Sequence, residues 1–397
     1  MGKTYRLAIL NTHPIQYFAP LYRRLAQEPD INLTVYYCSR LGVDIYSDIG
    51  FGQQLKWDIP LLDGYSHKFL KNFRKPNQVS SFFSLINLGI IGELFRGKYD
   101  ALLVHGHTPF SNIIAIVAAK LLGTRVFIRG ETHLLLERQG LKKMLRPQLM
   151  KWFYKICDAC LAIGSLNREY YLAHGVPAEH IFLVPYTVDN QFFTSRVDAY
   201  KNNRTEIKSE LGLSLNAPAI LYASKLQQRK HPFELLQAYQ QLRQNNISAC
   251  LLFVGSGEEE QRLKQLVAEQ NIPDVFFFGF RNQSELPRFF AVSDVFALPS
   301  ENEPWGLIIN EAMCASLPIV AGENVGAVRD LLILDENGFT CKGGDVDDLR
   351  HCLERIISSP VKLAQMGQKS RQIISSWSYE ECVKGIKAAL SYTCKLR

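Results

Sequence analysis

The chain has 397 residues, 47% of them hydrophobic and 21% charged, with a formal net charge of +7. Such a length exceeds one ordinary core and predicts two domains, and a composition free of low-complexity tracts and repeats is that of a globular protein. The longest apolar run, 82–95, is broken by Asn87 and Glu93 and falls short of the ~20 residues of a membrane span. With no secretory leader read in MGKTYRLAILN, a soluble chain is expected.

In chain order, YRLAIL (5–10) predicts a strand, followed by a His13-Pro14 turn and a helix over about 18–26. INLTVYYC (31–38) is a second strand and ALLVHGH (101–107) a third, followed by the helix SNIIAIVAAKLLG (111–123) and the strand RVFIRG (125–130). CLAIG (160–164), a helix through Tyr171 and IFLVPY (181–186) complete the first set. Residues 190–214 turn polar and predict a linker. A second set then begins: AILYAS (219–224), a helix over 232–244, ACLLFVGSG (249–257), a helix over 258–269 and VFFFGF (275–280). It ends with a helix over 284–291, VFALPS (295–300), another helix, and PIVAG (318–322). Apolar runs alternating with helical ones, each closed by Gly or Pro, indicate parallel βαβ units. Two such sets predict an α/β protein of two Rossmann-like domains facing across a cleft. Ligands are expected at the carboxyl ends of the strands.

The nine cysteines form no framework, and Cys157 and Cys160 lack a second ligand pair, so buried thiols in a reducing cytoplasm are expected. Charge is uneven, because residues 1–190 hold 22 basic and 14 acidic residues. HKFLKNFRK (67–75) and LKKMLRPQLMKWFYK (141–155) interleave cations with apolar groups, as interfacial segments do, and also as solvated faces with snorkelling lysines do. An anionic membrane surface is therefore a candidate partner; nucleic acid is not, since no recognition module appears.

Four strand ends of the second set carry candidate chemistry. Lys225 and Lys230, five apart in YASKLQQRKHP, suit a diphosphate, although loop lysines are commonly just solvated. Gly255 and Gly257 are a weak fragment of a glycine-rich turn, and Gly279 leaves backbone open to a base edge. In SENEPWGLIINE, Pro304 suits a helix start and Gly306 allows close approach of a ligand. The amides from Trp305 through Ile308 are donors for an anion. Glu303 reads equally as a helix cap, whereas Glu311, inside a largely apolar helix, needs a partner or a ligand. In the first set, VHGHTPFSN places His105 and His107 two apart, on one side if the strand continues, as a catalytic pair or metal ligands. No acid sits at ligand spacing, so no metal site is assigned. DVDD (345–348) reads as helix-capping acids.

These residues resemble the retaining glycosyltransferases of family 4. PSENEPWGLIINEAMCASLPIVA is similar to that family's Glu-x7-Glu signature, ASKLQQRK to its Arg/Lys-x4-Lys loop and VHGHTPFSN to its His loop. FVGSGEEEQRLK, FFFGFRNQSELPRFFAVSDVFALPS and GVPAEHIFLVPYTVDNQFF resemble the intervening and interdomain segments. The resemblance implies a GT-B fold, a nucleotide-diphosphate sugar as donor, retention of configuration, and no metal or other cofactor. It places Glu303 on the donor sugar's hydroxyls, Glu311 on the ribose and Lys225 and Lys230 on the diphosphate. The backbone near Trp305, Gly306 and Leu307 would meet phosphate oxygens, that of Gly279 and Phe280 the base, and His107 the reacting centre. Lys225 stands where the family more often has Arg, and NTHPIQYFAP replaces a Gly-Gly turn; His13 and Gln16 of that loop, with His105, are the acceptor-side candidates.

The implied domains are 1–190 for the acceptor, with a last helix over about 379–392 crossing back onto it, and 191–378 for the donor. The expected function is transfer of a sugar to a glycan or lipid-linked acceptor in cell-surface glycan assembly, in the cytoplasm or at the membrane's cytoplasmic face. The alternatives are a nucleotide-sugar 2-epimerase on the same fold and a non-catalytic sugar- or partner-binding module.

Overall fold

The structure, a computed structural model, describes residues 3–48, 50–74, 81–136 and 142–395, without the side chains of 142–146. Lys75 of the first basic cluster, and Leu141 with those side chains of the second, lie outside the described residues.

The chain divides into two compact units. One comprises Met1–Ser47, Gln54–Tyr186 and Tyr379–Arg397; the other comprises Asp48–Gln53 and Thr187–Ser378. The division falls at 186/187, and the short segment Asp48–Gln53, expected with the first half, packs with the second unit instead.

The strands of the first unit's sheet are β1 (Tyr5–Asn11), β2 (Ile31–Tyr37), β5 (His67–Phe69), β6 (Ala101–His105), β7 (Arg125–Arg129), β8 (Ala159–Ala162) and β9 (Ile181–Leu183). Between them β3 (Tyr46–Asp48) and β4 (Gln53–Leu55) form a two-stranded hairpin inside the stretch expected to be irregular. The order in the sheet is β5-β2-β1-β6-β7-β8-β9, all parallel. Leu7–Asn11 of β1 and Ala101–Val104 of β6 are buried without alternation, because helices cover both faces of a parallel sheet. β6 stops at His105, and Gly106 turns away with φ of 72°. His105 and His107 therefore do not share a strand face.

The second unit's strands are β10 (Ala219–Ala223), β11 (Cys250–Val254), β12 (Val275–Phe277), β13 (Val295–Leu298), β14 (Ile319–Gly322) and β15 (Gly338–Cys341). Their order is β12-β11-β10-β13-β14-β15, again all parallel. In both sheets the strand order reverses beside the first strand, between β1 and β6 and between β10 and β13. Those two points are where adjacent loops diverge and leave a crevice.

The polar stretch read as a linker is helical: Asn190–Lys201 is capped by Asp189, whose carboxylate accepts from the Phe192 amide at 2.9 Å, and Arg204–Glu210 follows. Composition misled there because the helix buries only Phe193 and Val197, leaving the rest of its surface polar. Asp345 caps the helix Val346–Ile357 by accepting from the Asp348 amide at 3.0 Å. Cys157 and Cys160 are buried thiols.

The last helix, Tyr379–Cys394, belongs to the first unit. Lys387 pairs with Glu28 at 2.9 Å and Asp30 at 2.8 Å, and Ile386, Ala389 and Leu390 are buried. Gly385 lies directly on β9, where an added Cβ would fall on the Leu183 carbonyl oxygen. Gly385→Ala is expected to lift this helix and cost ~2–4 kcal/mol, read as a fall in the denaturant midpoint, although Ala is the better helix former.

Candidate functional site

At the β10/β13 switch point the two loops are tied by one residue. The Arg229 carbonyl accepts from the Glu301 amide at 3.1 Å and from Ser300 Oγ at 3.3 Å, while its guanidinium donates to the Asn302 carbonyl at 3.1 Å. This lashing sets the short 3-10 turn Gln228–Lys230 against the segment that carries Glu303. The Lys230 ammonium pairs with the Glu303 carboxylate, and Lys230 is buried. Burial first, then the positive charges of Arg229 and Lys225, push the Lys230 ammonium down to about 7.

Glu303 is not the helix cap. The helix runs Leu307–Cys314 with Gly306 at its N-cap in the left-handed region, and no side chain caps it. The Glu303 backbone instead bridges to Val325, with the Gly326 amide donating to its carbonyl at 3.0 Å. Glu311 lies one turn into the helix and is fully buried. Its charge adds to burial in pushing up the neighbouring Cys314 thiol.

Two assignments change. The Trp305 side chain, at a position expected to contact the donor, is buried and stacked on Trp377 at 5.7 Å, with its indole N–H donating to Asn310 Oδ1 at 3.0 Å. Only its backbone remains a candidate contact, and its carbonyl accepts from the Ala327 amide. Gly255 and Gly257 serve loop packing: a Cβ on either would fall on the carbonyl oxygen of Ser224 or Leu226. Gly279 has φ of 67° and open space where a Cβ would stand, and its carbonyl accepts from the Gly255 amide at 2.8 Å.

The hairpin tip adds residues that sequence reasoning missed. Asp48 pairs with Lys225 at 2.8 Å, the Lys225 ammonium lies 4.5 Å from the centre of the Phe51 ring, and Phe51 meets Phe280 edge-on at 4.7 Å. The Phe51 carbonyl accepts from Ser256 Oγ at 2.9 Å. No local pattern links residues 48–51 to Lys225, because the contact spans 177 positions.

The first unit has a hollow of about 300 Å³ at its own switch point, lined by Thr12, His105, His107, Arg129, Glu131 and Tyr186 among others. Asn112, in the first turn of the helix Phe110–Leu121, donates to the His105 and Gly106 carbonyls at 2.9 and 3.0 Å and so fixes the His loop. His105 Nε2 bonds with the Tyr22 hydroxyl at 3.1 Å; burial, then Arg129, holds its imidazole well below the usual range and so neutral. His13 and Gln16 are not among the residues lining this hollow, and burial lowers His13 to about 4. Arg129 and Glu131, both missed, come from the end of β7. The buried guanidinium donates to the Val184 and Pro185 carbonyls, and Glu131 accepts from the Tyr186 hydroxyl at 2.6 Å. The available signal was the strand RVFIRG ending in Arg beside the His-loop strand.

Two sequence-family models match the chain, "Glycosyltransferase Family 4" over residues 54–192 and "Glycosyl transferases group 1" over 203–373. The chain belongs to glycosyltransferase family 4. An uncharacterized glycosyltransferase of Haemophilus influenzae is 30% identical over 50% of this chain and 56% of its own length. The N-acetyl-alpha-D-glucosaminyl L-malate synthase of Bacillus anthracis is 25% identical over 70% of this chain and 71% of its own. For the Haemophilus relative, then, the matched stretch spans little more than half its length. The crystal structure of Anabaena HepE in complex with UDP-glucose superposes with a TM-score of 0.69 at 17% identity, covering 98% of this chain and 100% of that one. The fold of this family 4 chain is GT-B, with two Rossmann-like α/β units.

Gly306 holds the joint between the Glu303 segment and the helix, with φ of 92° and its Cβ position only 3.1 Å from Val325 Cγ1 and 3.3 Å from Glu303 Cγ. Gly306→Ala is expected to lower stability by ~1–3 kcal/mol and to displace Glu303, read by thermal unfolding and by the chemical shift of the Glu303 carboxyl carbon.

Proposed function

We propose that the protein is a retaining, metal-independent glycosyltransferase that moves a sugar from a nucleotide-diphosphate donor to a glycan or lipid-linked acceptor in cell-surface glycan assembly. The observation that carries this reading is the cation group Lys225, Arg229 and Lys230 gathered with Glu303 at the β10/β13 crevice, beside a helix start at Gly306. Three cations at one strand end repel one another, and a diphosphate is the ligand chemistry that offsets them. HepE, of the same fold, is recorded with UDP-glucose, which makes UDP the first nucleotide to try.

In this reading the diphosphate takes Lys230 and Lys225 from Glu303 and Asp48, and the freed Glu303 addresses the sugar's hydroxyls. The acceptor hydroxyl attacks the anomeric carbon from the face that the leaving diphosphate occupies, so configuration is retained. The bond from that carbon to the phosphate oxygen breaks, and the acceptor's proton passes to the departing oxygen. Lys225, Lys230 and the helix amides stabilise the charge that develops there. Glu311 binds the ribose, and the backbone at Gly279 and Phe280 binds the base. His107 and the neutral His105, which line the first unit's own hollow, are the acceptor-side candidates.

Calorimetry tests the donor site. UDP is expected to bind, and Lys230→Ala to weaken binding ~10-fold or more; unaltered affinity in that variant would sink the assignment. Transfer chemistry is tested separately by products, since an epimerase converts donor alone while a transferase needs an acceptor. Because Lys230 is held near 7 and an anion raises it, UDP binding should take up protons at pH 8.5, and the uptake should shrink as pH falls toward 6, where Lys230 is already protonated and UDP's terminal phosphate gives up its own proton. Affinity accordingly falls as pH rises above 7, and comparing binding heats in buffers of different ionisation enthalpy reads the proton directly. Asp48→Asn, which removes the carboxylate on Lys225, should tighten UDP up to about fivefold.

A further inference from the structure

The outer face of the first unit is apolar where a soluble surface would be polar. Helices Gly89–Gly97 and Phe110–Leu121 pack on one another, and each carries two apolar sides. Ile90 and Leu94 of the first, and Ala115, Ile116 and Ala119 of the second, point into the core. Ile91 and Phe95 in one helix and Val117 and Leu121 in the other, each pair at i, i+4, point outward; Phe95 is 68% exposed and Leu121 83%. Between them lies a hollow of about 620 Å³ lined by Ile91, Phe95, Ile113, Ile114, Val117 and Leu121, among others that are also all apolar or glycine. Exposed Phe82 and Phe83, 5.6 and 5.4 Å from the Phe110 ring, extend the patch. Contiguous apolar surface on this scale marks an interaction site.

Charge around the patch selects the partner. Glu93 is held by two cations, Lys68 at 2.9 Å and Arg96 at 2.6 Å, and Asp158 by Lys120 at 2.9 Å and Arg125 at 3.0 Å. Each of these acids is outnumbered. Exposed Lys71 and Arg74 flank the Phe82 end, because Asn72 and Phe73 bond to Ser84 and Ile86, and exposed Lys98 closes the helix Gly89–Gly97. A second copy of this chain on the same face would set one basic rim against another, which is unfavourable. An anionic lipid surface meets both the apolar centre and the basic rim.

We infer that the face formed by helices Gly89–Gly97 and Phe110–Leu121 seats this protein on an anionic membrane. The side chains of Ile91, Phe95, Val117 and Leu121 enter the headgroup–acyl boundary, and Lys71, Arg74 and Lys98 meet lipid phosphates. The inference deepens the reading of a lipid-linked acceptor, and it adds to the basic segment 67–75, which supplies Lys71 and Arg74, an apolar helix face that the sequence did not single out.

The test is flotation of the full chain with vesicles of phosphatidylcholine alone and of equal parts phosphatidylcholine and phosphatidylglycerol. The wild type is expected to float with the mixed vesicles at low salt and poorly with the neutral ones. F95S/L121S, both positions exposed, should lower the bound fraction ~10-fold or more with an unchanged melting midpoint. Equal flotation of wild type and variant would overturn the inference. So would a wild-type dimer in solution that the variant converts to monomer, because a second copy would then own the face. UDP-induced thermal stabilisation of the same samples reports the donor site independently. Its loss would count against the proposed function and leave the flotation result standing.

Discussion

The reversal of strand order within each parallel sheet is the constraint on which the remaining features depend. The connections leaving the neighbouring strands β10 and β13 run in opposite directions along the sheet, so the loops above those strands diverge and leave a crevice that side chains must fill. In the second unit they are filled by charge: Lys225, Arg229, Lys230 and Glu303. In the first unit the equivalent crevice, between β1 and β6, is filled by the His loop and the buried Arg129. The same topology thus presents a cation group in one unit and a mixed polar hollow in the other.

Holding the Lys230–Glu303 pair largely out of water has an energetic logic. A buried ammonium and carboxylate in contact offset each other's desolvation only in part, and added neighbouring cations make the free site worse still. Asp48 and Glu303 supply negative charge to Lys225 and Lys230, the role that the proposed function gives to an incoming diphosphate. Around the charged loops the packing is rigid. Arg229 lashes two strand ends together, Trp305 and Trp377 stack beneath the Glu303 segment, and the glycines at 255 and 257 let backbones touch. Rigid support of this kind lets the site be preorganised, with reorganisation confined to small side-chain exchanges.

The outer face of the first unit shows the opposite economy. Its two short helices keep apolar side chains in water on one side while their other side completes the core. Such an arrangement is unfavourable for an isolated soluble molecule, and the basic rim gives it a chemical direction. The proposed donor crevice and the proposed membrane face draw on different residues of the chain, so each can be altered without touching the other.

The residues that bear charge at the strand ends were legible in the linear chain: Lys225, Lys230, Glu303, Glu311 and the His loop are local patterns next to apolar runs, and parallel βαβ units fix where such loops emerge. Alternation of short apolar runs with helical ones likewise determined two sheets and the α/β class. Only tertiary structure decided which of those charges meet. Glu303 looked like a cap because caps precede helices, but Gly306 took that position and left Glu303 to Lys230. Trp305 belongs to the core because its partner Trp377 lies 72 positions away, beyond any local pattern. Asp48, Phe51, Arg129 and Glu131 enter the two sites through contacts distant in sequence. The exposed faces of two apolar helices were equally invisible, since periodicity tells how many sides of a helix are apolar but not which of them the core covers.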